Sequence, residues 1–250
     1  ADNSISKIDT ASNTVEKTIK VGKRPKNVSI TPDGSTLIVS NSCSGTISII
    51  DAENFEIVQD IHVKGTPGDV VVSKDGLHFY IFNTSTNDVS RFDFADLNAR
   101  KVLFMVKSPY AMDIDKEEKY LYTISRGKNA LVVYNLEKFA IKKVLEFEGK
   151  PVDLKVSENG QYVYVLDAKQ DKIILVNTSD YQISGEIALE SKGFPSSINL
   201  VKGKNRILVS NAEKEYISVV DLVAGKLESN IRIGVKSESI ALGPILNEQK

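Results

Sequence analysis

Two histidines, His62 and His78, and one cysteine, Cys43, are the whole supply of imidazole and thiol in this chain. A histidine pair could hold a metal ion, and a thiolate beside a histidine could act as a nucleophile. No Gly-rich phosphate loop, Ser-centred elbow or paired-Cys motif accompanies them. Carboxylates offer a second chemistry. Asn27, Asp69 and Asp153 each stand two residues after a proline, at Pro25, Pro67 and Pro151. Acids converging on one mouth could hold a divalent ion and lower the pKa of its water. Cations offer a third. Lys23, Arg24, Lys64, Lys107, Lys150, Lys192 and Lys236 fall just before the same recurring position, and Tyr110 and Phe194 flank its proline. A ring of cations at one mouth would focus a positive potential on an anionic ligand.

These sets converge only if the elements carrying them repeat in space, and the prolines say that they do. Pro25, Pro67, Pro109, Pro151 and Pro195 are separated by 42, 42, 42 and 44 residues. Asp9, Asp51, Asp93, Asn135, Asn177 and Asp221 keep the same register, with the same two-residue excess in the last step. Two independent columns in one register mean one structural unit, repeated.

Each repeat holds four runs of strand-like composition, here named A to D. In the first, Asn27–Ile30 (A) meets a Thr31-Pro32-Asp33-Gly34 turn, in which Pro presets φ and Gly is free to take positive φ. Thr36–Asn41 (B), Thr46–Asp51 (C) and Glu56–Val63 (D) follow across short loops. The turn recurs as Lys74-Asp75-Gly76 and Glu158-Asn159-Gly160, and degrades at Lys116-Glu117-Glu118 and Gly203-Lys204-Asn205. Loops of a few residues join antiparallel neighbours but cannot make a parallel crossover. The unit is therefore a four-stranded antiparallel meander. Its strands read as apolar on both faces, as in sheets packed on both sides. No helical stripe of useful length appears. The expected fold is all-β: a β-propeller of four-stranded antiparallel blades on a 42-residue repeat.

The B strands carry a family resemblance. Tyr80-Ile81-Phe82-Asn83, Tyr122-Thr123-Ile124-Ser125, Tyr164-Val165-Leu166-Asp167 and Leu208-Val209-Ser210-Asn211, each after a Pro-led strand and two of them after an Asp-Gly-type turn, resemble the YVTN-type, surface-layer-like β-propeller repeats. The resemblance covers essentially the whole chain. It implies seven blades and a place in the cell envelope or outside the cell. Trp is absent, so the Trp-Asp signature of WD repeats is missing, and no Gly-Gly pair marks kelch blades. The haem-carrying propeller of cytochrome cd-type nitrite reductase is related to this repeat family. It needs axial histidines over the channel, where this chain places none.

A propeller assigns the candidate residues to rims. D–A and B–C loops share one rim; A–B turns lie on the other. His62, ending a D strand, and His78, opening a B strand, therefore cannot converge. Asn27, Asp69 and Asp153 lie at the channel mouth, where they either hold a metal or hydrogen-bond the backbone at strand entry. The bases share that rim, either as a ligand surface or as copies of an ancestral solvated lysine; Tyr110 and Phe194 are expected there as exposed aromatics suited to protein or glycan contact. Asn27, Asn83 and Asn177 also open weak glycosylation sequons.

The blade units are expected at about residues 25–62, 67–105, 109–147, 151–189 and 195–233, with a split blade from 3–20 and 237–243, all in one domain, 1–250. The split blade lacks a B strand. The expectation is that the chain is the C-terminal part of a longer polypeptide, with six blades if one strand is missing and seven if five are. Net charge −1 and a pI near 6.3 argue against a nucleic-acid partner, and no run is long enough to span a membrane. One cysteine precludes an internal disulfide framework. The function expected is a non-catalytic binding or scaffolding propeller of the cell envelope. It would engage a protein or an anionic glycan through the D–A/B–C rim, with no cofactor. The alternative is a metal-dependent hydrolase or lactonase using the channel-mouth carboxylates and a divalent ion.

Overall fold

The computed structural model describes residues 2–105, 107–190, 193–237 and 239. The chain divides into two compact units, Ala1–Val144 and Leu145–Lys250. The first holds a two-stranded sheet, β1 (Ser4–Asp9) and β2 (Thr14–Lys20), and three four-stranded sheets. These are β3–β6 (Pro25–Ile30, Thr36–Asn41, Thr46–Asp51, Glu56–His62), β7–β10 (Pro67–Val72, His78–Asn83, Asp88–Asp93, Asp96–Met105) and β11–β14 (Pro109–Ile114, Tyr120–Ser125, Ala130–Asn135, Ala140–Glu146). The unit boundary falls within β14. The second unit holds β15–β18 (Pro151–Val156, Tyr162–Asp167, Lys172–Asn177, Ile183–Ala188) and β19–β22 (Pro195–Val201, Arg206–Asn211, Tyr216–Asp221, Lys226–Arg232). Strands neighbour one another in sequence order in every sheet. Each four-stranded sheet is thus an antiparallel meander, the blade of a β-propeller. The described residues contain no helix, and so none long and apolar enough to cross a membrane. The A strand expected near 237–243 falls mostly on residues outside those described.

Inside each unit, consecutive blades pack face to face, β7 against β3 and β11, and β19 against β15. Ile38, Ile47, Ile49, Phe79, Ile81 and Phe92 fill the space between the first two full sheets, with Phe79 and Phe92 stacked 5.1 Å apart at 7°. Tyr80, Phe82, Val89, Met112, Leu121, Val132 and Tyr134 fill the next. The expectation of apolar strands on both faces holds for the middle strands: β13 is buried throughout. It fails for the outer ones. In β6, β14 and β22 most residues face solvent, since the last strand of a blade has one neighbour fewer to pack against.

The A–B turn keeps its hydrogen bond where its sequence degrades. Gly34, Gly76 and Gly160 close it with φ of +76°, +71° and +70°. At the third full blade Glu118 takes the glycine's place at φ +55° and donates its N–H to Asp115. Its carboxylate accepts N–H bonds from Lys74 and Asp75 of the neighbouring turn. That contact offsets the strain of a left-handed non-glycine residue, about 1 kcal/mol.

A polar column absent from the sequence reading ends every B strand: Asn41, Asn83, Ser125, Asp167 and Asn211, all fully buried. Asn41 donates to Thr46 Oγ1 at 3.2 Å and to Ser48 Oγ at 2.9 Å, and Ser48 donates on to Asp60 at 2.6 Å. Asn211, Ser218 and Asn230 repeat the relay. These side chains tie B to C to D at the end of the blade that bears the D–A loop. Asn41→Leu keeps the branched shape with somewhat more bulk and removes the donors. It is expected to lower stability by about 1–3 kcal/mol, read from the midpoint of urea unfolding.

Candidate functional site

Two recurring backbone features build the D–A/B–C rim. The carbonyl of the residue before each ladder proline accepts an N–H from the B–C loop. The pairs are Ser42 to Arg24, Thr84 to Thr66, Arg126 to Ser108, Ala168 to Lys150 and Ala212 to Phe194. The two loops are therefore fastened together in each blade. Arg24, Ser108 and Phe194 take left-handed backbone to make this bond, with φ of +56°, +50° and +52°. Immediately after each ladder proline the A–B register slips, leaving Lys26, Gly68, Tyr110, Val152 and Ser196 at a bulge. Proline has no N–H for the ladder, and a bulge re-aims the side chain that it displaces.

In the first unit three consecutive bulges, Lys26, Gly68 and Tyr110, open on one cleft of about 430 Å³. Pro67, Pro109 and the Phe82 ring give it apolar walls. Ser42, Thr66, Thr84, Ser85 and Ser108 line it with hydroxyls. Its charged side chains are Arg24, Lys26 and Arg126; no carboxylate lines it. Arg126 lies over Tyr110, its guanidinium carbon 3.0 Å from the ring centroid, with Lys26 Nζ 5.9 Å from the same centroid. The Arg126 Nε is buried and has no hydrogen-bond partner among the described residues.

Of the rim residues singled out by sequence, this cleft brings together Arg24 and Tyr110. Tyr110, expected as an exposed aromatic, is half-buried beneath Arg126. Lys23, Lys64 and Lys107 are exposed outside it. In the second unit Lys150 and Phe194 share a different cleft, of about 440 Å³, with Lys169 and Asp171, and Phe194 is 56% exposed. Lys236 lies in that unit beside Glu213, Glu215 and Arg232. Lys192 lies outside the described residues. Lys26 and Arg126 were missed because the sequence reading took the bases before the proline and the polar residues two after it. The signal for Lys26 was available in the position directly after the proline, where the bulge forms; Arg126 comes from the B–C loop, which that reading did not search for bases.

The carboxylates two residues after the proline are engaged between strands. Asp69 accepts from Asn27 Nδ2 at 2.7 Å and from Met112 N at 3.2 Å, linking β7 to both flanking A strands. Asp153 accepts from Leu154 N and Ile198 N, both at 2.8 Å, linking β15 to β19. Burial pushes the Asp153 carboxyl up, more than Lys155 and these donors bring it back. Asn27 and Asp69 do meet, while Asp153 belongs to the other unit. Among the described residues no three His, Cys, Asp or Glu side chains group as metal ligands. His78 Nδ1 lies 2.7 Å from Asp93 Oδ1, and Cys43 is exposed in a B–C loop. Of the sequon asparagines, Asn83 is fully buried in the polar column and closed to a glycan.

Comparison with known proteins places this geometry. No curated protein matches the sequence. Among solved structures, the chain is similar to Kuenenia stuttgartiensis hydrazine synthase (TM-score 0.75, 17% identity, 86% of this chain and 68% of that one). It is similar to the Myceliophteria thermophila Cps50 (Swd1) β-propeller domain (TM-score 0.78, 12% identity, 95% and 82%). It is also similar to the dihydro-haem d1 dehydrogenase NirN (TM-score 0.66, 13% identity, 92% and 61%). At these identities the likeness is one of fold. The family profile of the YNCE-like beta-propellers matches residues 1–230, and the chain belongs to that family.

Proposed function

We propose that this chain is a non-catalytic binding or scaffolding propeller of the cell envelope, engaging a protein or an anionic glycan through its D–A/B–C rim. The observation that carries this reading is the cleft of the first unit, which is lined by three cations and five Ser and Thr hydroxyls and by no carboxylate. The acids that a metal-dependent hydrolase would need, Asp69 and Asp153, already accept main-chain N–H bonds between neighbouring A strands. Placement in the envelope follows from the surface-layer-type repeats and suits a chain with a single cysteine.

The test is binding to an immobilised sulfated or uronic-acid oligosaccharide at rising salt. The Debye length falls from about 10 Å at 0.1 M to about 3 Å at 1 M, so affinity is expected to drop roughly tenfold or more over that range. Lys64→Glu/Lys150→Glu changes two exposed rim bases and is expected to weaken binding measurably at low salt. Identical affinities for the two proteins, or binding indifferent to salt, would refute the reading.

A further inference from the structure

The basic cleft of the first unit has features beyond a generic positive potential. A guanidinium presents its N–H donors in its own plane, as a fork matched to a carboxylate. The Tyr110 ring covers one side of the Arg126 guanidinium, which lines the cleft. Its Nε is buried without a partner among the described residues. An unpaired buried donor on a charged group is costly, and a bound oxyanion would remove that cost. Arg126 is held in place from below as well: its N–H is bonded to the Ser108 carbonyl. Lys26 and Arg24 are exposed and line the same cleft, Lys26 with its Nζ 5.9 Å from the Tyr110 centroid, and add positive charge there.

The rest of the cleft describes what the oxyanion is attached to. About 430 Å³ is far more than one small inorganic anion fills and falls in the ordinary range of small-ligand sites. Phe82, Pro67 and Pro109 back the cleft with apolar groups that are themselves largely buried. Thr66, Thr84 and Ser85 stand at the walls as donors and acceptors for ring hydroxyls. We propose that this cleft binds an acidic sugar residue of the uronate class, its carboxylate on Arg126 with Lys26 nearby and its hydroxyls on the Thr66, Thr84 and Ser85 side of the cleft. The assignment rests on the rim-binding reading and names the chemistry that the rim recognises.

Galacturonate and its disaccharide are the probes, followed by NMR chemical-shift titration of the full chain, with galactose and inorganic phosphate as comparisons. For the monosaccharide a dissociation constant of millimolar order is expected, with no binding of galactose and weaker binding of phosphate. Arg126→Gln is expected to weaken galacturonate at least about tenfold. Lys26→Glu, at an exposed position that leaves the fold intact, is expected to weaken it as well and decides the matter if Arg126→Gln does not fold. Galactose or phosphate binding as tightly as galacturonate overturns the proposal, as do folded variants that bind like wild type. If a sulfated polymer still binds through Lys64 and Lys150 while both cleft variants are unaffected, this inference falls and the rim reading stands. If neither polymer nor uronate binds, both fall.

Discussion

Replacing Asp88 by alanine is expected to cost the chain about 3 kcal/mol of stability, the cost of leaving a largely buried charge without its partner. Asp88 lies in β9, 3% exposed, where its Oδ1 accepts from Arg100 Nη2 at 2.6 Å, Ser90 Oγ at 2.8 Å and Asn83 Nδ2 at 3.2 Å. Arg100 reaches it from β10 with a side chain 20% exposed, so solvent relieves only part of the loss. An Asp88→Leu/Arg100→Met pair is expected to recover most of the stability, because two apolar groups leave no charge stranded. The pH dependence has a definite sign. Burial alone would push the Asp88 carboxyl up, but the donors around it, Thr86 and Arg100 foremost, outweigh burial and hold it below the ordinary aspartate range. The unfolded chain therefore takes up this proton first as pH falls. The stability that Asp88 contributes is complete above the ordinary aspartate pKa and disappears as pH falls through its depressed folded value. Urea unfolding of wild type and Asp88→Asn between neutral pH and pH 3 measures this. The two curves are expected to converge in acid, and a constant gap would show that the pair is not the source.

Asp88 also shows how far the sequence speaks. The fold was legible because a 42-residue period in two columns leaves few architectures open, and because turn and strand residues agree with it at every copy. Pro25, Pro67 and Pro109 were rightly placed at the end of the blade that carries the D–A loops: Arg24, Pro67 and Pro109 line one cleft. The outer strands were less legible. In a string of letters Ile57 and Val58 resemble Ile49 and Ile50, yet they are 39% and 68% exposed, while Ile49 and Ile50 are 4% and 0% exposed. Apolar composition reports strand formation, but burial depends on how many neighbouring sheets reach that strand.

The candidate cleft was legible only in part. The sequence pointed to bases before the proline, whereas the cleft takes Arg24 from that set and adds Lys26, at the bulge, and Arg126, from the B–C loop. The bulge also changes where the side chains after the proline go. Strict alternation after Pro109 would send Tyr110 and Ala111 to opposite faces, but the register slip leaves Tyr110 unpaired and free to meet Arg126. The acids were read as channel-mouth groups for the same reason. Counted through the bulge, Asp69 lies between strands, where main-chain N–H groups take it up. Sequence periodicity does not reveal a one-residue slip that every copy shares, because the period is unchanged by it.

Gly68 brings the bulge, the core and the cleft to one position, and Gly68→Val is expected to be among the most disruptive single changes in the first unit. A Cβ at this position would overlap the Phe82 ring, which occupies the space that the missing side chain leaves. Phe82 cannot simply swing away. It is 3% exposed and belongs to the cluster of Tyr80, Val89, Met112 and Leu121 between two blades. Forcing it aside overpacks that cluster, at about 1–3 kcal/mol for a modest intrusion and more for a branched one. Phe82→Leu alone shortens a buried aromatic and leaves a void, which also destabilises. The two changes compensate in space. Gly68→Ala/Phe82→Leu is therefore expected to lie above the sum of its parts by about 1 kcal/mol or more, the signature of direct contact in a double-mutant cycle. Thermal or urea unfolding of the four proteins reads this, and strict additivity would show that the ring and the glycine do not share the space.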